Sequence, residues 1–319
     1  MGKKVLIPQP VAEEGVDYLK DHGYEVVFVE NSDEESLKEA VGDCSAIWLG
    51  VPSITREIMD RAPKLEIIAR QGAGYNNVDV KAAEEKGIWV TNAPDATTNT
   101  VAEFALGGMI AIGKNMFLLT EKMKEGDFFY KDTYLGEDLK GKTLSIIGYG
   151  RIGRLLAQKA HYGLGMKILA YGPHLTKEQL EDYVTLADWD RAFSQGDFVS
   201  LHMPLNSKTE KLVGRREFQM MKTTAKLINC ARGAVTDEEA LIEALNKGQI
   251  GGLFTDVFTE EPPKKDHPFF HMENVIAAPH MGSYTKECRI IMAMHAAGQI
   301  HKVLSGEKPD TPVHHTVKK

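Results

Sequence analysis

Leu144-Ser145-Ile146-Ile147-Gly148-Tyr149-Gly150-Arg151-Ile152-Gly153 is the stretch that decides the fold. A short apolar run ends in a G-x-G-x-x-G hexapeptide, and a helix-period pattern from Arg154 to Ala160 follows at once. Glycine-rich turns are common, so the hexapeptide alone says little. Between a strand and a helix its glycines gain separate uses: a tight turn, close approach of backbone to a pyrophosphate, and close packing of helix on strand. The helix N-terminus then offers unpaired N–H groups and a partial positive charge to phosphate oxygens. Gly148, Gly150 and Gly153 are therefore candidate dinucleotide-binding positions.

Outward from this loop, short β-branched runs alternate with amphipathic segments of helix length, the pattern of βα units on a parallel sheet. The series containing the loop has strands at Leu144-Ile147, Ile168-Tyr171, Phe198-Leu201, Leu227-Asn229, Leu253-Thr255 and Val275-Ala278, the six of a complete dinucleotide-binding sheet. An earlier series has strands at Val5-Ile7, Val26-Val29, Ile47-Leu49, Ile67-Ala69 and Ile88-Val90, with helices beginning near Val11, Asp33, Thr55 and Val80. Pro94 and the polar stretch Asp95 to Thr100 separate the two as a hinge, and one long apolar helix is expected from about Val101 to Lys122. A last helix runs from about Thr285 to Leu304. The fold class is α/β, two doubly wound parallel-sheet, Rossmann-like domains with a cleft between them.

The composition agrees with that reading and excludes others. At 319 residues, 43% hydrophobic and 26% charged, the chain is long enough for two domains of ~100–200 residues. A net charge of −7 disfavours nucleic acid and anionic membrane surfaces as partners, and the basic pair Lys318-Lys319 is too short to reverse it. No apolar stretch reaches the roughly 20 residues of a membrane span. Val5-Leu6-Ile7 is too short for a signal peptide's apolar core, and Cys44, Cys230 and Cys288 are odd in number and widely spaced, so a cytoplasmic protein with reduced thiols is expected.

About 20 residues beyond the glycine loop, a carboxylate should grip the adenosine ribose 2′-hydroxyl of NAD. The chain reads Tyr171-Gly172-Pro173-His174 there. Gly172 neither holds the hydroxyl nor repels a 2′-phosphate, so discrimination against NADP is weakened; no Arg follows, and His174 or Lys177 is the available cation. Three further segments stand at strand ends of this series, where ligands bind in open α/β sheets: Asn229-Cys230-Ala231-Arg232-Gly233, Thr255-Asp256-Val257-Phe258-Thr259-Glu260-Glu261-Pro262, and Ala278-Pro279-His280-Met281-Gly282-Ser283. Singly they read as a surface ion pair, a solvated turn and a structural histidine. Jointly they supply what ketone reduction needs: a guanidinium for a carboxylate, an acid titrating near neutrality for the developing alkoxide, and a carboxylate to orient that acid. Arg232, His280 and Glu261 fit these catalytic roles in that order.

With these residues in view, the chain resembles the D-isomer-specific 2-hydroxyacid dehydrogenase family, which includes phosphoglycerate and glyoxylate/hydroxypyruvate enzymes. The likeness runs over nearly the whole chain: Arg70-Gln71-Gly72-Ala73-Gly74-Tyr75-Asn76-Asn77-Val78-Asp79, Val101-Ala102-Glu103, the glycine loop, His202-Met203-Pro204-Leu205-Asn206-Ser207-Lys208-Thr209, and the three strand-end segments. The resemblance implies a flavodoxin-like substrate domain of residues 1–98 plus 285–319, a Rossmann nucleotide-binding domain of residues 99–284, and a homodimer built through the latter. It implies that Arg232 binds the keto acid, that His280 is the acid-base, and that Glu261 rather than Glu260 pairs with it, because the family's glutamate directly precedes proline. Ala73 and Gly74 are the implied substrate-binding backbone. Arg151, Ile152, Gly172, Pro204, Thr209, Cys230, Ala231, Arg232, Asp256, His280 and Ser283 join the loop glycines as the implied cofactor set, Asp256 near the nicotinamide amide.

Some positions depart from the family pattern. Gly172 replaces the usual Asp and is similar to the NADP-using reductases, and Asn76 stands where Asp is common. Formate dehydrogenases of the family carry Gln in place of the glutamate, so Glu261 argues against that chemistry. The expected function is hydride transfer between NAD(P)H and a small 2-keto acid or D-2-hydroxy acid, with NAD as cofactor and NADP admitted by Gly172, in a cleft that closes about a hinge near Pro94 and Gly282. A nucleotide-sensing protein similar to the family's corepressors, which keep the same triad, is the alternative. A metal site on His267 and His271 is disfavoured because Pro268 lies between them and no further ligand is near, so no metal is expected.

Overall fold

The computed structural model describes residues 2–314; Lys318-Lys319 and the end of the 285–319 segment, from 315 onward, lie outside them. Contacts divide the chain into two compact units, Met1–Thr97 with Tyr284–Lys319, and Thr98–Ser283.

In the first unit, five strands, β1 (Lys4–Ile7), β2 (Glu25–Phe28), β3 (Cys44–Leu49), β4 (Ile67–Arg70) and β5 (Trp89–Thr91), are joined by helices α1 (Glu13–Asp21), α2 (Glu34–Ala40), α3 (Arg56–Asp60) and α4 (Val80–Lys86). The order β2-β1-β3-β4-β5, with every pair parallel, is the flavodoxin-like arrangement. Alternate residues sort onto the two faces as strand geometry requires: Leu6, Ile47, Leu49 and Ile68 on one, Val5, Ile7, Trp48 and Ala69 on the other. Burial of both faces explains why these strands read as continuous apolar runs.

The second unit begins with α5 (Thr98–Gly113) and α6 (Met116–Lys124), a correction to the single helix expected over Val101–Lys122. The chain bends by 61° between them. Asn115 adopts left-handed backbone, φ 52°, which a side-chain amide tolerates better than most residues, and its Nδ2 donates to the Leu135 carbonyl at 3.2 Å. Among the described residues no single helix is long and apolar enough to cross a membrane.

The sheet of this unit contains β6 (Thr143–Ile147), β7 (Lys167–Tyr171), β8 (Val184–Leu186), β9 (Phe198–Leu201), β10 (Lys226–Asn229), β11 (Gly252–Thr255) and β12 (Val275–Ala277), with α7 (Arg151–Leu164), α8 (Trp189–Gln195), α9 (Arg215–Met220) and α10 (Glu238–Asn246) between them. Its order is β12-β11-β10-β9-β6-β7-β8, all parallel. The direction of winding reverses between β6 and β9, so the crevice for a ligand lies off their carboxyl ends. Seven strands replace the expected six. The missed one, β8, is three residues long and edges the sheet, and Val184 is its one buried residue, too little apolar signal to read.

The last helix, α11 (Lys286–Leu304), returns to the first sheet. Thr285 caps it by accepting the Cys288 N–H at 3.2 Å. Ala293, Ala296, Ile300 and Val303 pack with Val5, Ile7 and Trp48, so the C-terminal segment completes the first unit's core.

Candidate active site

The glycine loop turns between β6 and α7. Gly148 has φ +99°, and a Cβ on it would stand 2.7 Å from the His202 carbonyl carbon, so both backbone sign and space demand glycine. Gly150 occupies the N-cap of α7 and offers no side-chain hydrogen bond to it, so the leading N–H groups are left for a ligand. A Cβ on Gly150 would meet nothing within 4 Å. That open space over a helix N-terminus fits a pyrophosphate. Arg151 and Ile152 open α7, Ile152 half-buried against the core, and Gly153 is buried in its first turn.

Tyr149, within the loop, turns inward. Its hydroxyl donates to Glu181 at 2.5 Å and its ring lies 4.6 Å under the Arg154 guanidinium, which also pairs with Glu181 at 3.1 Å. Burial and the Glu181 charge push the Tyr149 phenol up from its ordinary range. This clasp, which no motif announces, ties the glycine loop to the segment between Gly172 and β8. Gly172 itself follows β7; a Cβ there would lie 3.2 Å from Leu175. His174 and Lys177 are exposed beyond it.

At the end of β9, His202 Nε2 meets Ser200 Oγ at 2.8 Å, and burial depresses this imidazole to a pKa of about 4. Beyond it Thr209 Oγ1 donates to the Pro204 carbonyl at 2.6 Å and accepts the Asn206 N–H at 2.9 Å, closing the loop that carries both expected cofactor residues.

At the end of β10, buried Asn229 folds the chain back: its Oδ1 accepts the Ala231 N–H at 3.1 Å and its Nδ2 donates to the Arg232 carbonyl at 3.0 Å. Gly233 lets this turn press against the next strand's loop, since a Cβ on it would fall 2.0 Å from the Phe258 carbonyl carbon. Arg232 is thereby set beside the segment bearing Glu261. Its Nη1 donates to the Ala231 carbonyl at 2.6 Å. Among the described residues no carboxylate pairs with it within 4.0 Å, and desolvation lowers its pKa against the pull of the Glu261 and Asp256 charges. A desolvated guanidinium with no ionic partner is costly unless an anion arrives.

At the end of β12, His280 carries φ 42°, uncommon outside glycine, and its N–H donates to the Asp256 carbonyl at 2.8 Å. Its Nδ1 donates to Glu261 Oε2 at 2.6 Å, while Glu261 Oε1 accepts the Phe258 N–H at 3.1 Å. Burial works to raise the Glu261 carboxyl, but the His280 hydrogen bond and charge, the Phe258 N–H and the Arg232 charge outweigh it and hold it below its ordinary value. The His280 side chain remains 50% exposed, open to a reactant.

Asp256 is 2% exposed. Its Oδ2 accepts the Gly282 N–H at 2.6 Å, whereas Oδ1 is buried without a partner, and desolvation raises this carboxyl above its ordinary value. An orphaned acceptor there suits a carboxamide N–H, so the residues present fit a nicotinamide cofactor. Burial, with the Asp256 charge, raises the Cys230 thiol well above its ordinary value, which disfavours the thiolate. Ser283 directly follows Gly282, at the boundary of the unit. His267 is engaged structurally: Nδ1 accepts the Phe269 N–H at 3.3 Å and Nε2 faces Glu238 at 3.3 Å.

Ala73 and Gly74 belong to the first unit, on the loop after β4, where Asn92 Nδ2 donates to the Ala73 carbonyl at 2.7 Å.

The family model described as "D-isomer specific 2-hydroxyacid dehydrogenase, NAD binding domain" matches residues 106–282. The chain is 40% identical over 313 residues to the D-3-phosphoglycerate dehydrogenase of Methanocaldococcus jannaschii, an overlap of 97% of this chain and 59% of that protein, so it spans little more than half of that relative's length. It is 39% identical over 332 residues to the glyoxylate reductase of Thermococcus gammatolerans, covering 100% of this chain and 98% of the relative. The NADPH-dependent glyoxylate/hydroxypyruvate reductase of Sinorhizobium meliloti, solved in complex with NADP and malonate, superposes with a TM-score of 0.89 at 28% identity over 99% of this chain and 98% of that one. The glycine loop, the three strand ends and these likenesses converge: the chain belongs to the D-isomer specific 2-hydroxyacid dehydrogenase family.

Proposed function

We propose that this protein interconverts a small 2-keto acid and the corresponding D-2-hydroxy acid with NAD(P)(H). The observation that carries the proposal is the His280–Glu261 hydrogen bond at 2.6 Å beside a desolvated Arg232 that pairs with no carboxylate among the described residues. Bound nicotinamide supplies or accepts the hydride. Arg232 binds the substrate carboxylate, with its planar fork suited to bidentate pairing, and backbone at Ala73 and Gly74 adds to carboxylate binding. His280, held by Glu261 at Nδ1, presents Nε2 as the proton donor to the carbonyl oxygen in reduction and as the base in oxidation. Asp256 Oδ1 orients the carboxamide. Gly148, Gly150, Arg151, Ile152 and Gly153 hold the pyrophosphate; Gly172, Pro204, Thr209, Cys230, Ala231 and Ser283 line the rest.

Gly172 leaves the ribose end of the site without a carboxylate, so NADP(H) is accepted alongside NAD(H), with His174 or Lys177 facing a 2′-phosphate. The protein acts as a homodimer through the nucleotide-binding unit, a reading supported by Phe117, Phe128, Phe129 and Leu135, large apolar side chains left 54–85% exposed on that unit. Substrate and hinge roles for the first unit, and a cytoplasmic setting, belong to the same proposal.

The test is a matrix of glyoxylate, hydroxypyruvate, pyruvate, a branched 2-keto acid and 3-phosphohydroxypyruvate against NADH and NADPH. Turnover of at least one keto acid is expected, and His280→Ala should lower kcat by about 10²–10⁴-fold while the dinucleotide Kd stays within about twofold. Unchanged turnover in that variant refutes the acid-base assignment. Tight dinucleotide binding with no turnover on any keto acid would replace the enzyme with a nucleotide-sensing, corepressor-like protein.

A further inference from the structure

The loop that follows β4 is built around one pinned carbonyl. Its ends are fastened by Trp48 Nε1 donating to Gln71 Oε1 at 2.7 Å and by Asn77 Nδ2 donating to the Gly50 and Pro52 carbonyls at 2.9 and 2.7 Å. Its middle is held by the residues after β5: Asn92 Nδ2 donates to the Ala73 carbonyl at 2.7 Å, and the Ala93 N–H donates to the Gly72 carbonyl at 2.9 Å. Because a peptide unit is planar, fixing the Ala73 oxygen also fixes the direction of the Gly74 N–H on the opposite side of the same plane. That N–H is a donor of the kind a carboxylate takes.

Asn92 is in turn clamped by the C-terminal segment. Its carbonyl accepts from Thr311 Oγ1 at 2.7 Å and from His295 Nε2 at 3.0 Å, and its N–H donates to the Thr311 carbonyl at 3.3 Å. His295 Nε2 also lies 3.0 Å from Thr311 Oγ1, so imidazole, hydroxyl and the Asn92 carbonyl form one cluster. Thr91 and Pro312 form an antiparallel bridge, and Asp310 is tied to α11 by Lys302 at 2.7 Å and Gln299 at 3.0 Å. An unbroken chain of hydrogen bonds therefore runs from α11 and residues 310–313, through Asn92, to the Ala73 carbonyl.

We propose that Asn92 is a positioning residue for keto-acid binding, aiming the Ala73–Gly74 peptide, and that His295 and Thr311 hold Asn92 in the conformation that does so. This rests on the reading of Ala73 and Gly74 as carboxylate-binding backbone. Its consequence is specific: loss of any member weakens keto-acid binding without touching the hydride or proton step, because every member belongs to the first unit while the proposed proton donor and hydride site belong to the second.

The experiment is steady-state kinetics of the full chain with glyoxylate, and with NADPH and NADH in turn, for Asn92→Ala, Thr311→Val, His295→Leu, His295→Gln and, as a control on the substrate site, Arg232→Lys. Asn92→Ala should raise the glyoxylate KM by about tenfold, the loss of one part-buried hydrogen bond, with kcat and the dinucleotide KM within about twofold. Thr311→Val and His295→Leu should raise it by about two- to fivefold, and His295→Gln, which restores a donor, should bring it most of the way back. If Arg232→Lys raises the glyoxylate KM and Asn92→Ala and Thr311→Val do not, the carboxylate site stands and the positioning role falls. If none of them moves it, the reading of the carboxylate site itself fails. Should Asn92→Ala not fold, the Thr311 and His295 series decides alone; lowered Tm with unchanged KM marks the chain as structural only and overturns the proposal.

Discussion

At the scale of the residue, the site sets two charges against each other's solvation. Glu261 is held ionised by His280, the Phe258 N–H and Arg232 in spite of its burial, and its carboxylate, 2.6 Å from Nδ1, fixes the orientation of the imidazole and leaves Nε2 to a reactant. Glu261→Gln keeps the shape and an acceptor but removes the charge. For keto-acid reduction, kcat is therefore expected to fall about 10-fold to 10³-fold at neutral pH, with the dinucleotide KM unchanged. An unchanged kcat would remove Glu261 from the proton-transfer machinery. Arg232 shows how a bland sequence reading yields to surroundings: an arginine at a strand end is usually an exposed ion pair, but this one is desolvated and, among the described residues, pairs with no carboxylate within 4.0 Å.

At the scale of the element, the strand–glycine–helix unit was readable because three physical demands coincide in six residues, and the structure separates them. Gly148 needs positive φ and close backbone approach, while Gly150 needs open space above a helix start. Elements without such coincidence were not readable. β8 has one buried side chain, and the break between α5 and α6 depends on a left-handed Asn115 whose amide finds a carbonyl 20 residues away, a partner that local periodicity cannot reveal. The Tyr149–Glu181–Arg154 clasp is hidden for the same reason, since its members meet only once β7 and α7 are packed. The strand end at Gly172 carries a prediction at this scale. Gly172→Asp places a carboxylate where the ribose 2′-hydroxyl is expected, with Leu175 yielding a few tenths of an ångström to a Cβ 3.2 Å away. The kcat/KM ratio of NADH over NADPH should rise by at least about tenfold, through KM rather than kcat. An unchanged ratio would mean that the ribose end of the cofactor lies elsewhere.

At the scale of the whole molecule, two parallel sheets of different winding follow from alternation of apolar runs and helical segments. The return of the chain to the first unit does not follow from that alternation. α11 is apolar enough to pack on either sheet, and only the side chains it meets, Val5, Ile7 and Trp48, show that it closes the first core. Stability of the molecule as a whole should carry the signature of one buried imidazole. His202 titrates at about 4 in the folded chain against an ordinary value of 6.5, because burial disfavours its cation. Between those values the unfolded chain binds more protons than the folded one, so stability is full above about pH 6.5 and declines as pH falls toward 4, by at most ~3 kcal/mol for this group. His202→Gln keeps a partner for Ser200 Oγ and removes the titration. Its Tm, measured from pH 8 to pH 4, should fall less steeply than that of the parent below about pH 6.5, while the two curves run parallel above pH 7. Equal slopes below pH 6.5 would show that carboxylates such as Glu261, protonated against their native partners, account for the acid limb, and that the imidazole at the end of β9 has water enough to take its proton in the folded state.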